Sequence, residues 1–338
     1  MADPADPTQP PTPAPAHPDA LIDAFRFDGA GRAARVGWQD IDRPHSGPGF
    51  LWVHLQRTAE DTRTWLTEKS GLPPLACEAL LASDSRPRTT AFGEGLVVDL
   101  RGVNMNPGED PEDMVSLRVW CDGVRVVSVR RRRLMAVDDV REAIRRDRAP
   151  KTPSELLFML ADGLTKRMGT VIAGLDERVD DLEERVVAAQ SQELRLALGA
   201  IRREAIMFRR FIGPNREAIE RLVNDPADWL DQGDRLRIRE IADKVTRYVE
   251  ELDAARERAA VVQDELSSRL AERLNNNTYV LSVIAAIFLP LGLLTGLLGI
   301  NVGGMPGADW DPAFWIVTAL LVVLGVVEYV LLRRLRWI

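Results

Sequence analysis

The 22-residue stretch Tyr279–Ile300, YVLSVIAAIFLPLGLLTGLLGI, contains no charged residue. At roughly 1.5 Å per residue, a helix of this length just crosses a hydrocarbon core of about 30 Å. A second apolar run, Ala313–Leu332, is interrupted only by Glu328 near its end. The sequence therefore predicts a membrane hairpin with a first span at 279–300, a loop at 301–312, a second span at 313–332 and a basic tail at 333–338.

Two spans from one chain cannot enclose a water-filled path. In lipid, each helix must satisfy its own backbone polar groups, and two helices leave no sealed lumen between them. The hairpin is therefore either one part of a conducting ring of several copies or a membrane anchor.

Charged residues at the ends of the spans predict the orientation of the hairpin. Arg269 and Arg273 precede the first span, three arginines follow the second, and the loop at 301–312 has neither Lys nor Arg. By the positive-inside rule, both termini are expected in the cytoplasm and the short loop on the outer side of the membrane. Residues 1–20 are rich in Pro and Ala, lack the apolar segment of a signal peptide and are expected to be disordered.

The rest of the chain predicts a large cytoplasmic part in two domains. Strand-like runs and short helices occupy 21–150, where Asp122-Gly123 gives the strongest β-hairpin signal. From 151 to 278 the strands disappear, which predicts a helical stalk domain. Because the strands cluster in the first part of the chain and the helices in the second, the sequence favours an α+β or mixed α/β architecture over a doubly wound sheet. The net charge of −7 argues against a nucleic-acid partner.

The last helix of the stalk is predicted to run into the membrane. No Gly or Pro interrupts it between Asp234 and Pro290. Its apolar residues recur in alternating steps of three and four, the 3.5-residue repeat of a coiled-coil-like seam. The seam residues are Ile238, Ile241, Val245, Tyr248, Leu252, Ala255, Ala259, Val262 and Leu266. A helix of roughly 60 residues, on the order of 90 Å long, would transmit rigid-body motion to the membrane.

The chain carries none of the common catalytic motifs. GxSxG, Walker, HExxH and Rossmann patterns are all missing, so neither enzyme activity nor a cofactor is expected. With only three histidines and two cysteines, a compact tetrahedral zinc site is not expected either. Any metal ion handled by this chain is therefore expected to be held by oxygen ligands or to keep its own waters.

Small and polar residues recur at helical spacing along the first span, and two interpretations are open. Gly292 and Gly296 form a small-xxx-small pair that is typical of helix packing. Alternatively, the helix presents a pore face to the axis of a ring. The candidate pore-lining residues are Thr278, Leu281, Ala285, Leu289, Gly292, Gly296 and Gly299.

Polar residues at the end of the first span also have two interpretations. Asn301 would contribute to a ring of amide oxygens that accept hydrogen bonds from the water shell of a divalent cation, or it is a helix C-cap. Asp309 and Asp311 would attract cations to the mouth, or they are ordinary loop residues. The acidic stretch Asp176–Glu184 is expected to be a solvated helix face, with attraction of cations as the alternative.

The hairpin and the long helix resemble the CorA superfamily of divalent cation transporters. Gly299-Ile300-Asn301 stands where those proteins carry Gly-Met-Asn, and the chain closes on a basic C-terminus. Within the superfamily, several strings are similar to the ZntB branch, the zinc transporters. They are Ser85-Arg86-Pro87-Arg88, Gly93-Glu94-Gly95, Phe288-Leu289-Pro290, Thr295-Gly296-Leu297, 301–307 and Arg336-Trp337-Ile338.

The resemblance implies a funnel-shaped homopentamer in the bacterial inner membrane. The first spans would form the pore wall, with Ile300 and Asn301 at its outer mouth, and zinc would be the cargo, with cadmium, nickel or cobalt as further ions. It also implies coupling to protons, and we favour uptake. Glu328 is expected near the inner interface, where its side chain either snorkels outward or serves as the proton-coupling group. Two alternatives stay open: a magnesium or cobalt channel of the CorA type, and a membrane-anchored coiled-coil scaffold or sensor.

Overall fold

The computed structural model describes residues 20–42, 47–83, 86–188, 192–299 and 310–334. Residues 1–19 of the predicted disordered tail lie outside these residues. The chain divides into two compact units, one that ends at Val262 and one that begins at Gln263. The domain boundaries expected after residues 150 and 278 stay predictions.

A seven-stranded mixed sheet forms the N-terminal part of the first unit. Across the sheet the strands run β2-β1-β3-β7-β6-β5-β4, and all neighbours are antiparallel except β3 and β7, which are parallel. The strands are β1 Leu21–Phe27, β2 Ala33–Arg35, β3 Phe50–Gln56, β4 Arg88–Phe92, β5 Gly95–Gly102, β6 Val115–Cys121 and β7 Arg125–Arg130. The prediction of a mixed α/β domain is confirmed.

The predicted hairpin at Asp122-Gly123 joins β6 to β7. Gly123 has a φ of 86°, a left-handed conformation that favours glycine. The Asp122 carboxylate accepts hydrogen bonds from the backbone N–H groups of Val124 at 3.1 Å and Arg125 at 2.7 Å. The short polar side chain therefore closes the turn that its sequence signal indicates.

Seven helices occupy the described part of the chain, and α1 is continued by a π-helical turn at Trp65–Lys69. They are α1 Glu60–Thr64, α2 Pro74–Leu81, α3 Met135–Arg145, α4 Pro153–Ala188, α5 Gln192–Val223, α6 Gln232–Leu298 and α7 Ala313–Arg334. The prediction of one helix from about Asp234 into the apolar region is confirmed, since α6 has 67 residues and continues through Pro290.

Helices cover the sheet and fix its edge strands. Trp65 and Leu80 pack with Val53 in the core beneath α1 and α2. On the β4–β5 side, α5 is held by Asn215, whose side chain exchanges two hydrogen bonds with the backbone of Arg101 at 2.9 and 2.7 Å. Where β5 extends beyond its last pair with β4, its free backbone groups are thus satisfied by a helix side chain instead of a further strand.

The predicted seam of α6 is buried where it packs on the other helices. Most of its residues are buried, and Tyr248 and Val262 are half-buried. A Cβ on Gly169 of α4 would lie 2.3 Å from the Tyr248 hydroxyl, so only glycine allows this close approach. Asp253 of α6 pairs with Arg209 of α5 at 2.6 Å. Up to Val262, the seam therefore lies against α4 and α5.

Candidate functional site

Two helices among the described residues are long and apolar enough to cross a membrane, namely α6 through its C-terminal part and α7. Hydroxyl groups in the first span are satisfied within their own helix. Thr295 Oγ1 donates to the carbonyl of Leu291 at 2.9 Å, and Ser282 Oγ donates to that of Thr278 at 2.8 Å. Such bonds remove the penalty of an unpaired hydroxyl in lipid.

One face of each span is half-buried against the other, and we call these two rows the hairpin seam. Both rows advance in steps of three and four, which keeps them on one helix face. The seam residues are Val283, Ile287, Leu291 and Leu294 of α6 and Val317, Leu321, Leu324, Glu328 and Leu332 of α7. A Cβ on Gly325 would lie 3.9 Å from Leu291 Cδ1, which places the two helices in contact at this level.

The candidate pore-lining residues lie on the opposite face of α6. At 3.6 residues per turn, their mean direction is about 160° away from that of the hairpin seam. Six of them are exposed and Ala285 is half-buried. No described atom outside the neighbouring backbone lies within 4 Å of the Cβ position of Gly292 or Gly296. The small-residue pair therefore does not pack on α7, and whatever covers it lies outside this hairpin.

The exit of the first span is described only as far as Gly299. Its backbone N–H donates to the carbonyls of Thr295 at 2.9 Å and Gly296 at 3.2 Å, which closes the helix. Ile300, Asn301 and Asp309 lie outside the described residues. Asp311 is exposed immediately before α7. The amide ring and the acidic mouth stay predictions.

Glu328 lies on the hairpin seam. Its Oε2 atom is shielded from solvent and has no hydrogen-bond partner within the described residues. The carboxyl group is thus half-buried between the two spans, whereas the sequence suggested only a position near the inner interface. An ionisable group inside a membrane span is a candidate functional group.

The acidic stretch of α4 contains an ion-pair cluster that the sequence analysis missed. Arg258 of α6 contacts Asp176 at 2.8 Å, Glu183 at 2.9 Å and also Asp180. Hydrogen bonds to Glu183 and Asp180 raise the pKa of the Arg258 guanidinium. The steps of four and three place these carboxylates on one face of α4, a signal visible in the sequence. The remaining acidic residues are exposed, as expected for Glu177, Asp181 and Glu184.

The histidine and cysteine side chains that the structure describes do not form a metal-binding group. Among the described residues, no group of three or more His, Cys, Asp or Glu could hold a metal ion. His54 is buried in β3, with Nδ1 2.8 Å from Ser128 Oγ, and burial lowers its pKa well below the usual value. Cys77 and Cys121 are buried free thiols, and burial raises the pKa of both. These groups belong to the core of the compact unit that ends at Val262, which we call the soluble unit.

The structure combines a mixed α/β domain, a helix that continues from the soluble unit into an apolar span, and a second apolar helix. This combination defines a membrane transporter architecture. The chain matches the family described as "CorA-like Mg2+ transporter protein" over residues 47–334, and it belongs to this family.

Two relatives match over almost the whole chain. The chain is 40% identical to the "Divalent cation transporter CmaX" of Pseudomonas aeruginosa over 321 residues, which are 94% of this chain and 97% of the relative. It is 33% identical to the "Zinc transport protein ZntB" of Pectobacterium atrosepticum over 319 residues, 94% of this chain and 96% of the relative.

Two solved structures share the fold of this chain. The structure of full-length CmaX superposes with a TM-score of 0.83 at 39% identity and covers 94% of this chain and 98% of that one. The CorA magnesium transporter of Methanocaldococcus jannaschii superposes with a TM-score of 0.78 at 17% identity, 94% of this chain and 99% of that one, and shares the fold. The chain is therefore a divalent cation transporter of the CorA family.

Proposed function

We propose that this chain is a zinc transporter that acts as a homopentamer in the bacterial inner membrane and takes up its ion with protons. The zinc assignment is supported by the 33% identity to the zinc transport protein ZntB across 94% of the chain. Cadmium, nickel and cobalt are further candidate ions. Both termini and the soluble unit lie in the cytoplasm, in keeping with the arginines that flank the spans.

The observation that carries the pore is the uncovered face of the first span. Leu281 is 67% and Leu289 70% exposed, and the Cβ positions at Gly292 and Gly296 are open. The opposite face is already occupied by α7. In a ring of copies, the uncovered faces meet at a common axis, and the glycines allow the helices close approach. The second spans then form an outer layer towards lipid.

The ion crosses the membrane with most of its waters. No His or Cys follows Cys121, so the spans offer none of the nitrogen or sulfur ligands that zinc prefers when it is dehydrated. A ring of Asn301 side chains at the outer mouth accepts hydrogen bonds from the hydration shell, after Gly299 and Ile300 end the helix. Asp309 and Asp311 raise the cation concentration at that mouth.

Proton coupling is assigned to Glu328. It is the only ionisable side chain between Ala313 and Leu332 apart from Tyr329, and it lies on the hairpin seam. A proton that binds there changes the charge between the two spans, and a change of packing at the hairpin seam would reach the pore face through α6 itself. The coupling is thus local to the hairpin.

Flux into proteoliposomes tests the proposal. Native mass spectrometry first determines the number of subunits in the assembled protein. Zinc and magnesium uptake are then measured with and without an inward proton gradient for the parent protein, Asn301→Ala and Asn276→Ala. Asn276 is the matched control, because it lies two turns before Val283, on the side of α6 that carries the hairpin seam. We expect zinc flux that rises with the gradient and falls at least tenfold only in Asn301→Ala.

Other outcomes separate the alternatives. Magnesium flux that is indifferent to protons would move the chain to the magnesium or cobalt channels. A lack of flux of either ion from assembled pentamers would contradict the transport proposal and favour an anchored scaffold. Equal loss in both asparagine variants would remove the special role of Asn301.

A further inference from the structure

A cavity of about 420 Å³ in the soluble unit is lined by five arginines and only two carboxylates. Its walls come from β5, β6, the residues after β3 and β7, the segment before β6, and α5. The charged lining residues are Arg57, Arg101, Arg118, Arg131, Arg132, Glu112 and Asp113. All of them belong to the first unit, so the cavity is complete within one soluble unit.

Two of these arginines are already used by the fold. Arg118 is buried, and its Nε lies 3.2 Å from the Asp99 carboxylate while Nη1 donates to the carbonyl of Leu80 at 3.0 Å. The guanidinium of Arg101 lies 5.2 Å from the centre of the Phe211 ring. These two side chains form a fixed positive wall and need no ligand.

Of the other three arginines, Arg57 and Arg131 carry charge that no ion pair within the described residues balances. Arg57 donates to the carbonyls of Leu81 and Ala82, but its Nε is buried and has no hydrogen-bond partner among the described residues. Burial, and next the nearby charges of Arg118 and Arg131, lower the pKa of Arg57, while Asp99 acts in the opposite direction. Arg131 is exposed and forms no ion pair within the described part of the chain.

The carboxylates of the lining offset only part of this charge. Arg132 pairs with Asp113 at 3.1 Å and with Glu109 at 3.5 Å. Burial, followed by repulsion from Glu204 and Asp110, raises the pKa of Glu112 against the opposing effect of Arg178 and Arg203, which favours the uncharged form of this carboxyl group. The cavity therefore keeps a positive potential that suits an anion with several charges.

We propose that this cavity binds an organic polyphosphate of nucleotide size. Guanidinium groups match phosphate oxygens with paired hydrogen bonds, and several arginines on different walls suit several phosphates. The volume falls within the usual range for small-molecule sites, about 300 to 1,000 Å³. Met114, Met207 and Phe211 supply an apolar and aromatic part of the lining, which suits a base or another flat ring.

Calorimetric titration of the full-length protein with metal-free ATP tests this site. We expect saturable binding that weakens at least tenfold in Arg131→Gln, because this exposed arginine has no structural ion pair to lose. Arg148→Gln is the matched control, since Arg148 is also exposed in the same unit but does not line the cavity. Arg57→Gln serves as a second variant, with its fold checked by circular dichroism.

Further probes identify the part of the ligand that is recognised. Tripolyphosphate is expected to bind more weakly than ATP, and adenosine alone is expected not to bind. Sulfate that competes with ATP at equal concentration would overturn the proposal, since it would indicate general anion attraction. A lack of saturable ATP binding would also overturn the proposal, and so would equal losses of affinity in Arg131→Gln and Arg148→Gln. Binding that occurs only after the subunits of the oligomer are separated would overturn it as well. None of these results depends on zinc flux.

Discussion

Arg258 of α6 and Glu183 of α4 form a two-point ion pair, with Nε 3.2 Å from Oε1 and Nη2 2.9 Å from Oε2. The same guanidinium also contacts Asp176 and Asp180, which lie about two turns and one turn before Glu183 along α4. Fork-like pairing of this kind fixes the relative positions of two side chains as well as their charges. The cluster thus sets the register of α4 against α6 within the soluble unit.

Substitution of Arg258 by glutamine should lower the stability of the soluble unit modestly. The guanidinium is 36% exposed, and exposed pairs contribute about 0.2 to 1 kcal/mol each, so we expect a loss of about 1 kcal/mol. Urea unfolding of the full-length protein at low and high salt measures it, and the loss should shrink at about 1 M salt. Arg256→Gln is the control, because Asp253, at 3.8 Å, is the one carboxylate that pairs with Arg256 among the described residues. Equal losses in the two variants would contradict a special role for the cluster.

The elements that follow from local patterns were predictable from the sequence. The uncharged run Tyr279–Ile300 and the three-four steps from Ile238 to Leu266 are properties of neighbouring residues, and they indicated the long helix and its buried seam. The Asp122-Gly123 turn was predictable for the same reason, because only a few residue pairs adopt that backbone conformation. The stripe of candidate pore-lining residues is likewise a local helical pattern, although its position opposite α7 required the packed hairpin.

Contacts between distant parts of the chain were not predictable. Arg258 and its carboxylates are 75 to 82 residues apart in sequence, and nothing local selects this arginine among many. The arginine cavity depends on strand order, which brings the residues after β3 and β7 beside β5 and β6. The half-buried position of Glu328 depends on how α7 is rotated about its axis. Side-chain pairing of this kind is decided by tertiary packing, which a single sequence does not encode in any short pattern.

His54 should make the soluble unit sensitive to acid. Burial, with the charges of Arg130 and Arg141, lowers its pKa well below the ordinary 6.5. Below pH 6.5 the unfolded chain therefore binds a proton that the folded chain does not, and this contribution to unfolding free energy falls by about 1.4 kcal/mol per pH unit until the folded pKa is reached. Well above pH 6.5 the contribution is constant, because neither the folded nor the unfolded histidine binds the proton.

Urea unfolding of the parent and of His54→Asn at about pH 7.5, 6.5 and 5.5 isolates this contribution. We expect the difference between the two proteins to change most between the two lower pH values, and by only about a third as much between the two higher ones, because the unfolded histidine is half protonated at pH 6.5. Ser128→Ala removes the hydroxyl 2.8 Å from the ring and keeps the histidine, so its pH dependence should follow that of the parent. Identical slopes for the parent and His54→Asn would show that the histidine is charged in the folded state or already exposed.

Glu328→Gln should remove the pH dependence of zinc flux and keep a pH-independent flux. The substitution preserves the size of the side chain on the hairpin seam and replaces its carboxyl group by an amide, which does not bind or release a proton. Uptake into proteoliposomes at a series of external pH values measures the effect. Glu272→Gln is the control, because Glu272 is exposed ahead of the first span. An unchanged pH profile in Glu328→Gln would exclude this residue as the coupling group.

Single cysteines along the first span should distinguish the pore face from the hairpin seam. The native cysteines are buried, so an introduced thiol can be followed against a low background. We expect a charged methanethiosulfonate reagent to modify Leu281→Cys and Leu289→Cys at least ten times faster than Ile287→Cys and Leu291→Cys, because a pore face is wetted and the seam is packed on α7. A lipid-facing helix excludes both water and the charged reagent. Slow modification at all four positions of the assembled protein would therefore place Leu281 and Leu289 against lipid and contradict the pore assignment.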